Sequence, residues 1–484
     1  MSEVVQLPPI RPRGRASAAE LRSAVEGARV TVVGGARSGL SVARLLQRHG
    51  ADVFLTDAGP ASNGTADKLA AAGIPAEFGG HTARALDADW LVVSPGVPTT
   101  AGLVQSALRQ RKPVYAEIEV ASWFCPGQVV AVTGSNGKTT TTTLIGHVLE
   151  VAGRDHVVAG NIGVPFSEFV DDLEDDTVVV LEVSSFQLDH IATFRPTVAV
   201  LLNITADHLD RYDHDVERYA ASKLRLFDNL QPGDWLVYNH DDARVREHVR
   251  SLAAERGLTP VAFSAEREPA PGAFARDGRL VLALPTSGSP GDPPMEEDLM
   301  PQSDLALRGT HNLYNSLAAA IVARAVEIRS DVVRESLTSF EGVPHRLETV
   351  RTVGGVRFVN DSKATNVNAV WYALESVPTT EPSIVLIAGG RDKGNDYQPL
   401  ERLVADKVKG LVVIGEGADA LEADLGPHTD RVARASSMEE AIQFARLIAE
   451  SGDTVLLSPA CSSFDMFDNY EDRGDTFKRL VHAL

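Results

Sequence analysis

The stretch AVTGSNGKTTTT, residues 131–142, sets Gly134 four positions before Lys138. A phosphate-binding loop ordinarily places its first glycine about six residues ahead of the lysine, so this turn is shorter. Its amides can still face a phosphate at the N-terminus of the helix that follows. Lys138 then brings positive charge to the β- and γ-phosphates, and the Thr139 hydroxyl can bind Mg²⁺. A strand before the turn and a helix after it favour nucleotide binding over a chance Gly–Lys turn. Gly134, Asn136, Gly137, Lys138, Thr139 and Thr140 form the nucleotide-facing set.

Two further residues stand where later strands of the same unit should end. Glu182 closes TVVVLEVSSFQL and His208 lies in LLNITADHLDRY. Open α/β sheets bind ligands beyond the carboxyl ends of their strands. Alone, Glu182 reads as a solvated strand-end acid and His208 as a capping or packing residue. Together they offer oxygen and imidazole ligands beside a γ-phosphate. Lys223, in YAASKLRLF, reads locally as an ordinary solvated helix lysine.

The elements that must position these groups repeat in one pattern. RVTVVGGARSGLSVARLLQRHGADVFLTD gives a β-branched run (29–33), a Gly-rich turn, a helix over about 39–49 and a strand ending at Asp57. This has the shape of a dinucleotide fingerprint, with Ala36 where the second glycine usually stands. Strands follow at 90–96 and 113–117, then at the phosphate loop, 177–184, 198–204 and 235–239, with a long helix over 311–326. VRFVND, SIVLIAGG, GLVVIGE and TVLLSP mark a third unit. Alternating strands and helices predict an α/β protein of three domains. They are an N-terminal Rossmann-like domain (27–122), a central P-loop-type mononucleotide-binding domain (123–342) and a C-terminal Rossmann-like domain (343–484). Residues 1–26 read as a mobile tail. The Pro-, Gly- and acid-rich segment 266–303 reads as surface loop apart from a strand at RLVLALP.

Composition narrows the function classes. The 484 residues carry a formal net charge of −20 with no offsetting basic stripe, which argues against a nucleic-acid partner. No run approaches the roughly 20 apolar residues of a membrane helix. The N-terminus lacks the apolar core of a secretory signal. The two cysteines, Cys125 and Cys461, match no metal or redox spacing. A cytoplasmic protein is expected, acting as a monomer without nucleic acid or membrane.

TGSNGKTTTT, GNIG (160–163), LEVSSFQL (181–188), LNITADHLDRY (202–212), GTHNLYNSLAA (309–319), NDSKATN (360–366) and SPACSSFDMF (458–467) together resemble the Mur ligase family. That resemblance implies an ATP-dependent amide ligase in peptidoglycan precursor synthesis. A substrate carboxylate takes the γ-phosphate of ATP, and an amine then displaces phosphate from the acyl phosphate. It implies two Mg²⁺ ions, one held by Thr139 and Glu182 and the second by His208, with Lys223 carbamylated into an anionic oxygen ligand. Lys138, His208 and Lys223 would be catalytic. Asn312 and Asn315 would meet ATP at the adenine, Arg346 at phosphate and Asp361 at ribose.

The same resemblance implies UDP-MurNAc-L-Ala and D-glutamate as substrates. Arg37, Ser38, Asp57, Gly96, Asn161 and His208 fall at the UDP-substrate positions. Lys363, Thr365, Lys393, Ser463, Phe464 and Tyr470 fall at the D-glutamate positions. Another Mur-type ligase or a folylpolyglutamate synthase remains the alternative within the superfamily. Outside it, GGARSGLS allows an NAD-dependent oxidoreductase or a nucleotide-binding regulator, which Lys138, Thr139, Glu182 and His208 disfavour.

Overall fold

The computed structural model describes residues 18–61, 64–207, 209–285, 292–377, 379, 381–392 and 394–484. His208 and Lys393 lie outside the described residues. The chain divides into two compact units, Met1–Leu305 with Tyr314–Ser339, and Ala306–Leu313 with Phe340–Leu484.

The first unit carries two sheets. Strands β1 (Arg29–Val33), β2 (Asp52–Asp57), β3 (Ala76–Phe78), β4 (Trp90–Val93) and β5 (Val114–Ala116) form a parallel sheet in the order β3-β2-β1-β4-β5. The run Val30–Val33 is buried throughout, as a strand covered on both faces requires. A helix over Arg37–Arg48, starting two residues earlier than the sequence pattern suggests, buries Val42, Ala43, Leu45 and Leu46. Burial of one such leucine contributes about 1.5–3 kcal/mol, and Leu45→Ala would cost about 2–5 kcal/mol.

The second sheet contains β6 (Gln128–Thr133), β7 (His156–Gly160), β8 (Val178–Glu182), β9 (Val198–Leu201), β10 (Trp235–Asn239), β11 (Pro260–Ser264), β12 (Gly272–Arg276), β13 (Arg279–Pro285) and β14 (Pro294–Pro301). Its order is β14-β13-β12-β11-β10-β9-β6-β8-β7. Chain order reverses around β1 in the first sheet and around β6 in the second, so each Gly-rich turn leaves a topological switch point. One apolar core runs continuously from Val25 to Ala262 beneath both sheets.

The acid-rich insert departs from its reading as loop. The expected strand at RLVLALP is β13, and β12 and β14, where loop was expected, pair with it antiparallel at the sheet edge. Alternation was masked there because β14, PMEEDLMP, is an exposed edge strand whose acids face water and arginines. Arg276 of β12 pairs with Glu296 of β14 at 2.9 Å, across the intervening β13, and Arg279 of β13 pairs with Asp298 of the neighbouring β14 at 2.5 Å.

The second unit is built on β15 (Glu348–Val353), β16 (Val356–Asn360), β17 (Ile384–Gly389), β18 (Val408–Ile414), β19 (Val432–Ala435) and β20 (Thr454–Leu457), ordered β15-β16-β20-β17-β18-β19. All pairings are parallel except β15 with β16. Helices cover both faces over two apolar clusters. The architecture is α/β with three sheet-centred domains.

Candidate active site

Strand β6 delivers the chain into the turn 134–137, and a helix over Lys138–Val151 leaves it. Gly137 holds φ +84°, and a Cβ there would come within 2.5 Å of Asn315 Oδ1. Both facts require glycine. The loop is clamped from β9's end, where Asn203 Oδ1 accepts from the Asn136 amide (2.8 Å) and Asn203 Nδ2 donates to the Asn136 carbonyl (3.0 Å). Thr140 is buried in the first turn. Lys138 folds back over the turn, donating to the carbonyls of Gly134 (2.9 Å) and Ser135 (2.8 Å).

Glu182 ends β8, beside β6, and is 2% exposed. Its Oε2 accepts from Thr139 Oγ1 at 2.7 Å, while its Oε1 accepts from Asn161 Nδ2 at 2.8 Å. A hydroxyl and a carboxylate thus meet at the helix N-terminus, the oxygen donor set that a hard cation such as Mg²⁺ takes.

Lys223 corrects its local reading as a solvated lysine, for it is 1% exposed. The helix over Val216–Leu224, capped by the Asp215 carboxylate, points it inward to donate to the Gly134 carbonyl at 2.8 Å. Its ammonium also lies 4.6 Å from the centre of the Tyr219 ring. Burial, then repulsion from Lys138, drives its pKa well below the ordinary lysine value, against opposing attraction from Asp207, Glu182 and Asp189. Tertiary packing decided this, and nothing in YAASKLRLF signals it.

A cleft of about 510 Å³ opens between the first two sheets. Arg37, Ser38, Asp57, Gly96 and Asn161 all line it, which brings together every described residue expected at the UDP substrate. Arg37 Nη1 donates to the Gly163 carbonyl at 3.0 Å. Asp57 accepts from the Gly35 amide (2.6 Å) and the Gly59 amide (2.7 Å), so its carboxylate organises the turn. Arg211 donates to the carbonyl of Gly96 at 2.8 Å and lies over the Phe186 ring, a contact that sequence reasoning missed. Asn161 belongs to both places: it lines the cleft and bonds Glu182.

On the helix Thr310–Ala325, Asn315 Oδ1 accepts from Thr141 Oγ1 at 3.1 Å, behind the phosphate loop. Asn312 Nδ2 donates to the Arg308 carbonyl at 2.8 Å.

In the second unit, Asp361 follows β16 and is buried. It accepts from Ser458 Oγ (2.8 Å) and the Leu347 amide (3.2 Å). Burial raises its pKa to about 7 despite the Ser458 bond and the nearby Arg346. Arg346 Nε is buried without a hydrogen-bond partner among the described residues. Buried donors are ordinarily paired, so this nitrogen can take an acceptor from outside the chain, water included.

The loops expected to meet an amino acid also converge. Lys363 Nζ lies 5.1 Å from the centre of the Tyr470 ring, and Ser362 Oγ donates to the Tyr470 carbonyl at 2.8 Å. The Thr365 amide donates to the Lys363 carbonyl at 2.9 Å. Ser463 is buried and Phe464 is 62% exposed. Arg473 escaped the sequence reading because YEDRGD looks like a solvated helix start. It is 1% exposed and donates to the carbonyls of Ser362 (2.8 Å) and Cys461 (3.2 Å), tying two of these loops together.

Comparison with known proteins follows the same division of the chain. Matching family models are the Mur ligase MurD-like N-terminal domain over residues 28–116, the Mur ligase middle domain over 132–323, and the Mur ligase glutamate ligase domain over 345–461. The UDP-N-acetylmuramoylalanine–D-glutamate ligase of Salinibacter ruber is 58% identical over 465 residues, covering 95% of this chain and 99% of the relative. The chain belongs to the Mur ligase family. A second such Mur ligase, from Chloroherpeton thalassium, is 46% identical over 475 residues, covering 95% and 99% of the two chains. Among solved structures, MurF from Acinetobacter baumannii is similar with a TM-score of 0.60 at 15% identity, covering 96% of this chain and 98% of its own. That likeness is one of fold. Mur ligases use ATP and Mg²⁺, and the Thr139–Glu182 oxygens suit that cation. Among the described residues no helix is long and apolar enough to cross a membrane.

Proposed function

We propose that this Mur ligase joins D-glutamate to the alanyl carboxylate of UDP-MurNAc-L-Ala at the expense of ATP. The observation that carries the reading is Asn161, which lines the cleft and hydrogen-bonds Glu182. A substrate lying in that cleft presents its far end to the phosphate loop. The near-full-length relatives that bear this activity in their names support the same substrates.

The chemical problem is charge. A carboxylate approaching a triphosphate at 4 Å meets about 4 kcal/mol of repulsion per pair of unit charges at an effective dielectric near 20. Bound Mg²⁺ would neutralise that charge and polarise the phosphoryl oxygens. Thr139 and Glu182 supply oxygens for one ion. A second ion would be held by His208 and by Lys223 as its carbamate.

Lys223 suits that modification because CO₂ adds to a neutral amine, and burial beside Lys138 favours the neutral form. Carbamylation would place an anion that attracts Lys138 where an ammonium would repel it.

The loop amides and Lys138 orient the γ-phosphate, with Lys138 turning from the Gly134 and Ser135 carbonyls to do so. A carboxylate oxygen then bonds to phosphorus as the bond to ADP breaks. The amino group of D-glutamate attacks the acyl carbon. The tetrahedral species expels phosphate, which keeps the former carboxylate oxygen. Asn312 and Asn315 would serve the adenine, Asp361 the ribose, and Arg346 Nε a phosphate oxygen. Lys363, Thr365, Lys393, Ser463, the Phe464 backbone and Tyr470 would hold the glutamate. Arg37, Ser38, Asp57, Gly96 and His208 would serve the UDP substrate, and the monomer is taken as the working unit.

A heavy-oxygen label in the alanyl carboxylate tests the route. Acyl-phosphate chemistry puts the label in the released phosphate. Phosphate free of label would rule the route out.

A further inference from the structure

Arg211 joins the two sheets of the first unit at one turn of the cleft. It closes the short helical element Leu209–Arg211 and is half-buried. Its guanidinium lies 4.2 Å from the centre of the Phe186 ring, on the short helix Ser185–Leu188 that follows β8 and Glu182. Phe186 in turn stacks on Tyr212, the ring centres 6.1 Å apart and the planes 13° from parallel. A guanidinium seated on an aromatic face loses little more freedom when it bonds. Its two terminal nitrogens reach the turn after β4, where Nη1 donates to the Pro95 carbonyl at 3.1 Å and Nη2 to the Gly96 carbonyl at 2.8 Å.

Peptide geometry carries this anchor through to the cleft. In a trans peptide the carbonyl and the amide of one plane point in opposite directions. The Pro95 carbonyl is turned to Arg211, so the Gly96 amide is turned away from it. The Val97 amide is committed to the Ser94 carbonyl at 2.9 Å, and Pro95 and Pro98 have no amide hydrogen. The Gly96 amide has no partner among the described residues. Ser94 to Pro98 line the cleft, whereas Arg211 stands behind the turn. The turn thus keeps one backbone donor for a ligand, and Arg211 sets its direction.

We propose that Arg211 is a positioning residue for the UDP substrate. It fixes the Pro95–Gly96 peptide so that the Gly96 amide donates to an acceptor oxygen of that substrate, and it fastens this turn to the Leu209–Tyr212 segment of the second sheet's domain. This rests on the cleft being the UDP-substrate site. Lysine cannot replace it, because an ammonium is a point charge without the planar fork that spans two carbonyls.

The test is binding of UDP-MurNAc-L-Ala to the full-length protein by calorimetry, with KM for ATP read on the same variants. Arg211→Ala should weaken binding by about 10–100-fold, as loss of charge-assisted bonds implies, and leave KM for ATP unchanged. Arg211→Lys should recover only part of that loss, and it reads the same split if the alanine variant does not fold. Millimolar guanidinium should tighten binding by Arg211→Ala and leave the unaltered protein as it was, a repair that a general loosening of the fold would not allow. Unchanged binding by Arg211→Ala, no repair by guanidinium, or an equal rise in KM for ATP would each overturn the proposal alone. Absence of binding by the unaltered protein would remove the site reading and this proposal with it.

Discussion

Lys138 and Lys223 donate to the same atom, the carbonyl oxygen of Gly134, at 2.9 and 2.8 Å. Two ammonium groups so placed repel, and one of them is fully enclosed. The enclosed one, Lys223, is the group that CO₂ would convert into an anion. Native mass spectrometry should find one carbamoyl group on the protein prepared with bicarbonate, and none on Lys223→Ala. Ligase activity of Lys223→Ala should fall by about 100-fold or more, as loss of a metal-bearing group implies. Full activity in that variant would contradict the role given to the lysine.

Asn161 couples the cleft to Glu182, so its removal should be felt at both ends. Asn161→Ala should raise the Mg²⁺ concentration needed for half-maximal rate by about 10–100-fold, the usual cost of losing a partner behind a metal ligand. KM for the UDP substrate should rise in the same variant. Steady-state titrations of each ligand measure this. A change in one constant without the other would mean that Asn161 does not link them.

Gly137 and Gly153 both hold positive φ, +84° and +65°, but only at Gly137 would a Cβ meet a neighbour, Asn315 Oδ1 at 2.5 Å. Gly137→Ala should therefore cost more stability than Gly153→Ala, on the order of 1–3 kcal/mol for a strained backbone with a contact to relieve. It should also raise KM for ATP. Chemical denaturation compares the pair, and equal losses would show that the contact carries no energy.

Asp361 gives a pH dependence with a definite sign. Its folded-state pKa, about 7, exceeds the ordinary value of 3.8, so the folded state holds the proton longer. That stabilisation is fully present below about 3.8 and is lost as pH rises through about 7. Its ceiling is on the order of 4 kcal/mol at about 1.4 kcal/mol per pH unit. Asp361→Asn should flatten stability between these limits, read by melting temperature across pH. A variant whose stability falls as steeply as the parent's would assign the slope elsewhere.

Much of this arrangement was legible in the residues. Period and β-branched runs mark β1, β6, β8 and β9, because strands buried on both faces must be apolar throughout. The Gly134–Thr139 turn declares itself because few residue types tolerate its backbone. What escaped depends on partners distant in sequence. Lys223 and Arg473 look like solvated helix residues until the fold buries them. The strand β14 hid behind its acids, whose partners Arg276 and Arg279 lie on other strands.

The central claim is that a carboxylate is activated at the Lys138–Thr139–Glu182 site and captured by D-glutamate. Phosphate release from ATP by the purified chain, supplied with UDP-MurNAc-L-Ala and Mg²⁺, measures it most directly. The account predicts turnover that requires D-glutamate and does not occur with L-glutamate. Turnover with a different amino acid in place of D-glutamate, or release indifferent to any amino acid, would contradict it.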